Sequence, residues 1–438
     1  MTEKIKILTL SDHPLSPSGV GTQTKYIIEG LLKTGRYQVI SLGGAIRHQD
    51  YTPLKVEGYE DDWMIFPVDG YGSQDQIRSV LHVHRPDILW FMTDPRFYGW
   101  LWDIENEIRT HVPMVYYHVW DNFPYPEYNK GYYQSNDYIA CISKVTHDVV
   151  NEIVPLVDNK YIPHAVDTNI FKKANEEEAG SLRKDNFKNN PDKFVAFWNN
   201  RNARRKQSGA VIWWWKQFLD EVGHENATLI MHTETKDQHG QDLDHIMYHL
   251  RLTEGQLVFS RQKLPPEELA KIYSMADCTI NVADAEGFGL ATLESLACET
   301  PIMVTMTGGL QEQVTETDKI THEVVLERQA TADPVNMMAH GVGLVPTSQS
   351  IIGSQDVPYI YEDRISGKQF VDGLLKLYNM SAEERAALGH AGRQHVLNNY
   401  NFENYLNTWD EVLTELHEKA GSWETRKNYK SYEFGEIL

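Results

Sequence analysis

The chain's most chemically pointed stretch runs from Asp284 to Glu312. In it Glu286 is followed by Gly287-Phe288-Gly289-Leu290 and then, eight positions on from the first carboxylate, by Glu294. Glycines after a strand let backbone approach a ligand closely, and the start of the following helix offers free N–H groups and a partial positive charge to an anion such as a diphosphate. Upstream, the run Arg201-Asn202-Ala203-Arg204-Arg205-Lys206 places three arginines and a lysine at the end of a predicted strand, in a chain whose formal net charge is −21. Such a cluster in so acidic a protein reads as a phosphate site rather than as a solvated face. Together the two stretches outline a cradle for an anionic ligand.

Other candidates carry less signal. Gly19-Val20-Gly21 sits at a strand-to-helix turn, where a tight turn and a phosphate site are equally good readings; Thr24 stands where a full dinucleotide fingerprint needs its third glycine. His118, in Tyr116-Tyr117-His118-Val119-Trp120-Asp121, falls at the carboxyl end of a predicted strand, although a lone histidine is more often structural. The loop Thr233 to Asp244, with His232, Asp237, His239, Asp242 and His245 in and around it, matches no tight metal spacing and reads as a polar loop, so no metal site is expected. Cys141, Cys278 and Cys298 lie far apart, which suits small buried hydrophobes in a reducing compartment and no zinc framework.

The elements that must position these residues alternate strand and helix. Lys4 to Leu10, Tyr37 to Leu42, Trp63 to Val68, Ile88 to Met92, Met114 to His118 and Tyr138 to Ile142 read as strands, and the spacing of Tyr26, Ile27, Leu31 and Leu32 predicts an amphipathic helix after Gly21. That alternation implies a parallel sheet with helices on both faces, whose ligands bind beyond the carboxyl ends of the strands. Residues 172–193, rich in charge and Asn, mark a boundary. A second alternation follows, with strands at Phe194 to Trp198, Ala227 to His232, Leu257 to Ser260, Cys278 to Val282 and Ile302 to Thr305. Gln313 to Pro358 reads as irregular and loop-rich, and helices at Lys368 to Asn379, Ala382 to Asn398 and Phe402 to Lys419 close the chain.

Length and composition bound the rest. The 438 residues exceed one hydrophobic core, and 41% hydrophobic residues suffice for two. The acidic balance argues against nucleic acid or an anionic membrane as the main partner. The N-terminus is too short and polar for a signal-peptide core, and no run reaches membrane-spanning length, so a cytoplasmic protein is expected.

Glu286 and Glu294, with the glycines between them and Thr300-Pro301 and Gly308-Gly309 after them, resemble the E-x(7)-E signature of the large retaining GT-B glycosyltransferase family, group 1, family 4. Gly19-Val20-Gly21, His118, Ile162-Pro163-His164-Ala165-Val166-Asp167, and Arg201 with Lys206 five positions later also resemble the family's pattern in chain order, over roughly residues 5 to 415. The resemblance implies two Rossmann-like doubly wound parallel-sheet domains facing across a cleft. They are an acceptor-side domain at 1–171, a linker at 172–193 and a donor-binding domain at 194–400, with 401–438 packing back toward the first domain. It implies transfer of a hexose-type sugar from a nucleotide-diphosphate sugar to a hydroxyl of a carbohydrate or glycoconjugate acceptor, with no cofactor and no metal.

In that reading Arg201 and Lys206 hold the leaving diphosphate. Glu286 orients the donor sugar, Glu294 accepts from the ribose hydroxyls, and His118 reaches the sugar from the other domain. Gly19, Gly21, Gly287, Phe288, Gly289 and Leu290 bring backbone and the helix start to the donor. Glu299 and Ala165 stand where the family most often has glycine. The alternatives are an epimerase of the same architecture, a phosphorylase, which would need a pyridoxal-bearing lysine that the sequence does not offer, and a nucleotide-sugar- or glycan-binding protein without turnover.

Overall fold

The protein is described here by a computed structural model covering residues 4–188 and 190–432. Eight strands form the first sheet: β1 Ile5–Asp12, β2 Tyr37–Gly44, β3 Leu54–Lys55, β4 Trp63–Pro67, β5 Ile88–Thr93, β6 Met114–His118, β7 Tyr138–Cys141 and β8 Asn159–Tyr161. They lie in the order β3-β4-β2-β1-β5-β6-β7-β8, parallel throughout except for the short edge pair β3/β4. Seven strands form the second: β9 Phe194–Asn199, β10 Ala227–His232, β11 Leu257–Ser260, β12 Cys278–Asn281, β13 Ile302–Thr305, β14 Val335–Met338 and β15 Gly341–Leu344. Their order is β11-β10-β9-β12-β13-β15-β14, with only β14/β15 antiparallel. The central strands are apolar runs buried on both faces, as in Phe194-Val195-Ala196-Phe197-Trp198, because helices cover both sides. This is the GT-B architecture of two doubly wound sheets.

Each sheet reverses its winding at one place, between β1 and β5 in the first and between β9 and β12 in the second. Ligands of such sheets bind in the crevice beyond the carboxyl ends at these switch points. The cationic run follows β9, and Glu286 follows β12.

The boundary read at residues 172–193 carries a helix. It spans Glu176–Asn186, started by the Asn175 side chain accepting from the Glu178 N–H. It is pinned by Arg183, which donates to the carbonyls of Pro191 and Met275 and to the Asp277 carboxylate. The stretch read as irregular, 313–358, is also structured. It holds the helix His322–Thr331, strands β14 and β15, and β16 Ser348–Ile352, the first arm of a hairpin completed by β17 Ile360–Arg364. Its strands are short, and two glycines dilute the apolar signal of β15. Gly341 is needed there, since a Cβ would meet the Ile302 carbonyl oxygen at 1.8 Å.

The chain ends on the first domain. The helix Phe402–Ala420 sets Trp409, fully buried, edge-on to Trp90 and Tyr117, and Asp410 accepts from the Tyr37 hydroxyl at 2.8 Å. Beyond it, Trp423 donates to the Pro86 carbonyl and lies under the Arg85 guanidinium, while Arg426 pairs with Asp137 at 2.7 Å. Trp409→Ala should therefore destabilise the protein by about 3–5 kcal/mol through the cavity it leaves, read as a lower denaturant midpoint at unchanged slope.

Candidate active site

β12 delivers the chain to a loop whose shape depends on two glycines in left-handed conformations. Gly289, at φ +91°, starts the helix Leu290–Ala297, and Gly308, at φ +46°, lies against two other backbones. A Cβ on Gly308 would sit 1.9 Å from the Glu286 carbonyl oxygen and 2.3 Å from that of Asp121. Loops from both domains thus meet at one point, and the Gly309 N–H donates to the same Glu286 carbonyl at 3.0 Å.

Around this point the side chains are charged. The buried Lys206 ammonium donates directly to Glu286 Oε2, which also accepts from Asn281 Nδ2 at 3.3 Å. Arg205 donates to the Ala285 carbonyl at 2.6 Å and stands 3.9 Å from both Glu286 and, across the cleft, Asp121. Burial and the neighbouring Arg205 push the Lys206 ammonium well below its usual pKa, with Asp121 acting against them. An anion placed between these two cations would relieve that strain on their charge.

Glu294 lies on the helix that follows. Its Oε2 accepts from the Tyr273 hydroxyl at 2.7 Å, and that hydroxyl accepts from Asn199 Nδ2 at 2.9 Å. Burial raises the Glu294 carboxyl to about 7, and Tyr273 partly offsets the rise.

The remaining sequence-stretch candidates fall into three groups. Gly19 touches Leu290 across the cleft, where a Cβ would come within 3.0 Å of its side chain, and Gly287 packs on the Asp121 loop. Gly21, Phe288 and His118 face protein instead. Gly21 closes its own turn under His13 and Ser16, its N–H donating to Ser18, and Phe288 packs edge-on to His164 and Tyr400. His118 is fully buried among Tyr116, Trp120 and Tyr133, with Nδ1 3.3 Å from the Tyr116 hydroxyl, and burial pushes its pKa down to about 3. Arg201 stands apart: its side chain is 61% exposed and forks onto Asp237 at 2.7 and 3.1 Å.

Four residues that the sequence did not single out join the site. Arg205 lies within the cationic run, so its signal was present but unresolved from its neighbours. Asp121 follows His118 by three positions. Asn281 and Tyr273 carry no sequence signal, because their roles depend on where β12 and a preceding helix end.

Some of the buried polar atoms without a protein partner lie at the carboxyl ends of the strands. His118 Nε2 ends β6 with Trp120 Nε1 just after it, and Asn200 Nδ2, Thr233 Oγ1, Asn281 Oδ1 and Thr305 Oγ1 lie at the carboxyl ends of β9, β10, β12 and β13. Unsatisfied buried groups are rare in folded proteins and call for a ligand or water.

Residues 182–336 match the family described as Glycosyl transferases group 1. The chain is 48% identical over 52 residues, 12% of either chain, to the D-inositol 3-phosphate glycosyltransferase of Corynebacterium urealyticum. Across the curated relatives it matches, the chain spans only 11% to 24% of their length. The whole fold resembles the sucrose-phosphate synthase from Thermosynechococcus elongatus, with TM-score 0.69 and 14% identity over 95% of this chain and 100% of that one. It also resembles Anabaena Alr3699/HepE, solved in complex with UDP-glucose, with TM-score 0.65 and 15% identity over 94% and 100%. At such identities the likeness carries the fold. The matched segment holds Arg205, Lys206, Glu286 and Glu294, while Asp121 comes from the first domain of the same chain. Among the described residues no helix is long and apolar enough to cross a membrane.

Glu294 supplies a pH test of the crevice. Only the ionised carboxylate is acceptor-only and free to take two hydroxyls. With the ribose-binding role that the resemblance implies for Glu294, nucleotide affinity, followed by calorimetry with UDP, GDP or ADP, would be full above about pH 8 and fall as the pH drops through about 7. Glu294→Gln should flatten that profile.

Proposed function

We propose that the protein is a retaining glycosyltransferase that moves a hexose-type sugar from a nucleotide-diphosphate sugar to a hydroxyl of a carbohydrate or glycoconjugate acceptor. The observation that carries this reading is the Arg205, Lys206 and Glu286 cluster at the β9/β12 switch point, closed over by the Asp121 loop of the other domain. The group 1 match over the same domain, and neighbours solved with UDP-sugars, support it.

In this mechanism the donor diphosphate takes the place that Glu286 now holds beside Lys206. The anomeric carbon–oxygen bond breaks with its electron pair going to the departing phosphate, and the growing negative charge is met by Lys206, Arg205 and the N–H groups at the start of helix Leu290–Ala297. The acceptor oxygen attacks the same face of the sugar, and its proton passes to a phosphate oxygen of the leaving group, so configuration is retained. Glu286 orients the donor's hydroxyls. Asn281, which donates to the same carboxylate oxygen, remains as its partner once Lys206 turns to the diphosphate, and supports that role over one as a nucleophile. Glu294, ionised, accepts from the ribose. Arg201 joins the phosphate only by leaving Asp237, and His118 Nε2 is a polar atom without a protein partner at the end of β6 in the acceptor-side domain. The reaction is proposed to need neither cofactor nor metal, and to run in the cytoplasm.

A thermal-shift screen against nucleotide sugars identifies the donor, because a ligand of the folded state raises its melting temperature. With that donor, Lys206→Ala and Glu294→Ala should each lower transfer by about 100-fold or more while leaving the circular dichroism spectrum unchanged; full activity in both would overturn the assignment. Arg205→Ala should cost at least about tenfold more than Arg201→Ala, since one charge of the pair already stands at the site. The anomeric configuration of the product, read by NMR, tests retention.

A further inference from the structure

The hairpin β16/β17 lies outside both sheets, yet β17 touches the site from two directions. Side chains of a strand alternate between faces, so successive residues of β17 serve different partners. One face carries Glu362 and Arg364. Glu362, almost fully buried, receives both arms of the Arg204 guanidinium at 2.6 and 2.8 Å and one arm of Arg364 at 2.6 Å. The other arm of Arg364 reaches Asp284, which also accepts from Gln207 at 2.7 and 2.8 Å. Arg204 and Gln207 bracket Arg205 and Lys206, and Asp284 lies two residues before Glu286. This face therefore ties the cationic turn after β9 to the acidic loop after β12.

The opposite face carries Tyr361 and Asp363. The buried Asp363 carboxylate accepts from Gln349 at 2.8 Å, from Gln329 at 3.2 Å and, across the cleft, from Asn122 at 2.6 Å. The Tyr361 N–H donates to the Phe123 carbonyl at 3.1 Å, and the Tyr128 hydroxyl donates to the Tyr359 carbonyl at 2.6 Å. All three of these cross-cleft contacts go to the segment 122–128 that follows Asp121.

We propose that β17 is a two-sided positioning strap, in which Glu362 and Arg364 set the spacing of the Arg205-Lys206 turn against Glu286, and Asp363 seats the Asn122 loop of the other domain over that site. The proposal rests on the donor-site reading above. It assigns the two faces different kinetic consequences. Loosening the Glu362 face misplaces the charges that hold the diphosphate and weakens nucleotide binding. Loosening the Asp363 face leaves those charges in place but lets the acceptor-side loop move, so turnover falls while nucleotide affinity holds.

The test uses the full chain and whichever of UDP, GDP and ADP raises the wild-type melting temperature most, with the matching glucose nucleotide for turnover by hydrolysis or transfer. Glu362→Gln and Arg204→Gln should each weaken binding of that nucleotide roughly tenfold, and the double variant should be little worse than either alone, because the two side chains form one contact. Arg204 is largely exposed, so its variant folds even if Glu362→Gln does not. Asp363→Asn should lower kcat roughly tenfold with nucleotide Kd within about twofold, a split that general loss of stability would not produce. Wild-type affinity in Arg204→Gln and Glu362→Gln, or equal loss of affinity and turnover in Asp363→Asn, overturns the strap while leaving the donor site standing. Absence of nucleotide binding by the wild-type protein overturns both.

Discussion

An ammonium removed from water needs a negative partner, and the Lys206 pairing with Glu286 is the contact on which the crevice is built. It joins the strand end of β9 to that of β12, the two strands flanking the reversal of the second sheet. Because a buried pair of this kind costs desolvation on both sides, its net contribution to stability is small, whereas removing one partner alone is costly. Arg205 adds a second cation 3.9 Å from the same carboxylate. The backbone converges at the same place, since Gly308 lets the Glu286 and Asp121 carbonyls come closer than any side chain would permit.

Much of this arrangement was legible in the chain because it rests on local chemistry. The spacing of Glu286 and Glu294, the glycines between them and the cationic run near Lys206 need no tertiary information to be noticed, and strand-helix alternation predicted two parallel sheets. What escaped depended on distances that sequence does not carry. Arg201 and Arg205 differ by four positions and have the same chemistry, yet Asp237, brought in from the loop after β10, draws one of them outward. The segment 313–358 was unreadable for a different reason. Its strands are short, one is diluted by Gly341 and Gly343, and β16/β17 is fixed by ion pairs to remote loops rather than by an apolar pattern.

His118 shows the limit of position as a guide. It lies at the strand end the sequence assigned to it, but its ring is enclosed by aromatic side chains and held neutral, with only Nε2 unsatisfied. A neutral imidazole in that setting serves as a directed hydrogen-bonding group rather than as a charge. Position in the chain indicated where the residue would sit, and burial decided what it could do there.

The return of the helix Phe402–Ala420 to the first sheet has a consequence for how the protein is made. Trp409 packs edge-on against Trp90 and Tyr117, so part of the first domain's core is supplied by a helix that follows the whole second sheet in the sequence. Complete burial of that core needs a contact of high sequence separation, which is slow to form.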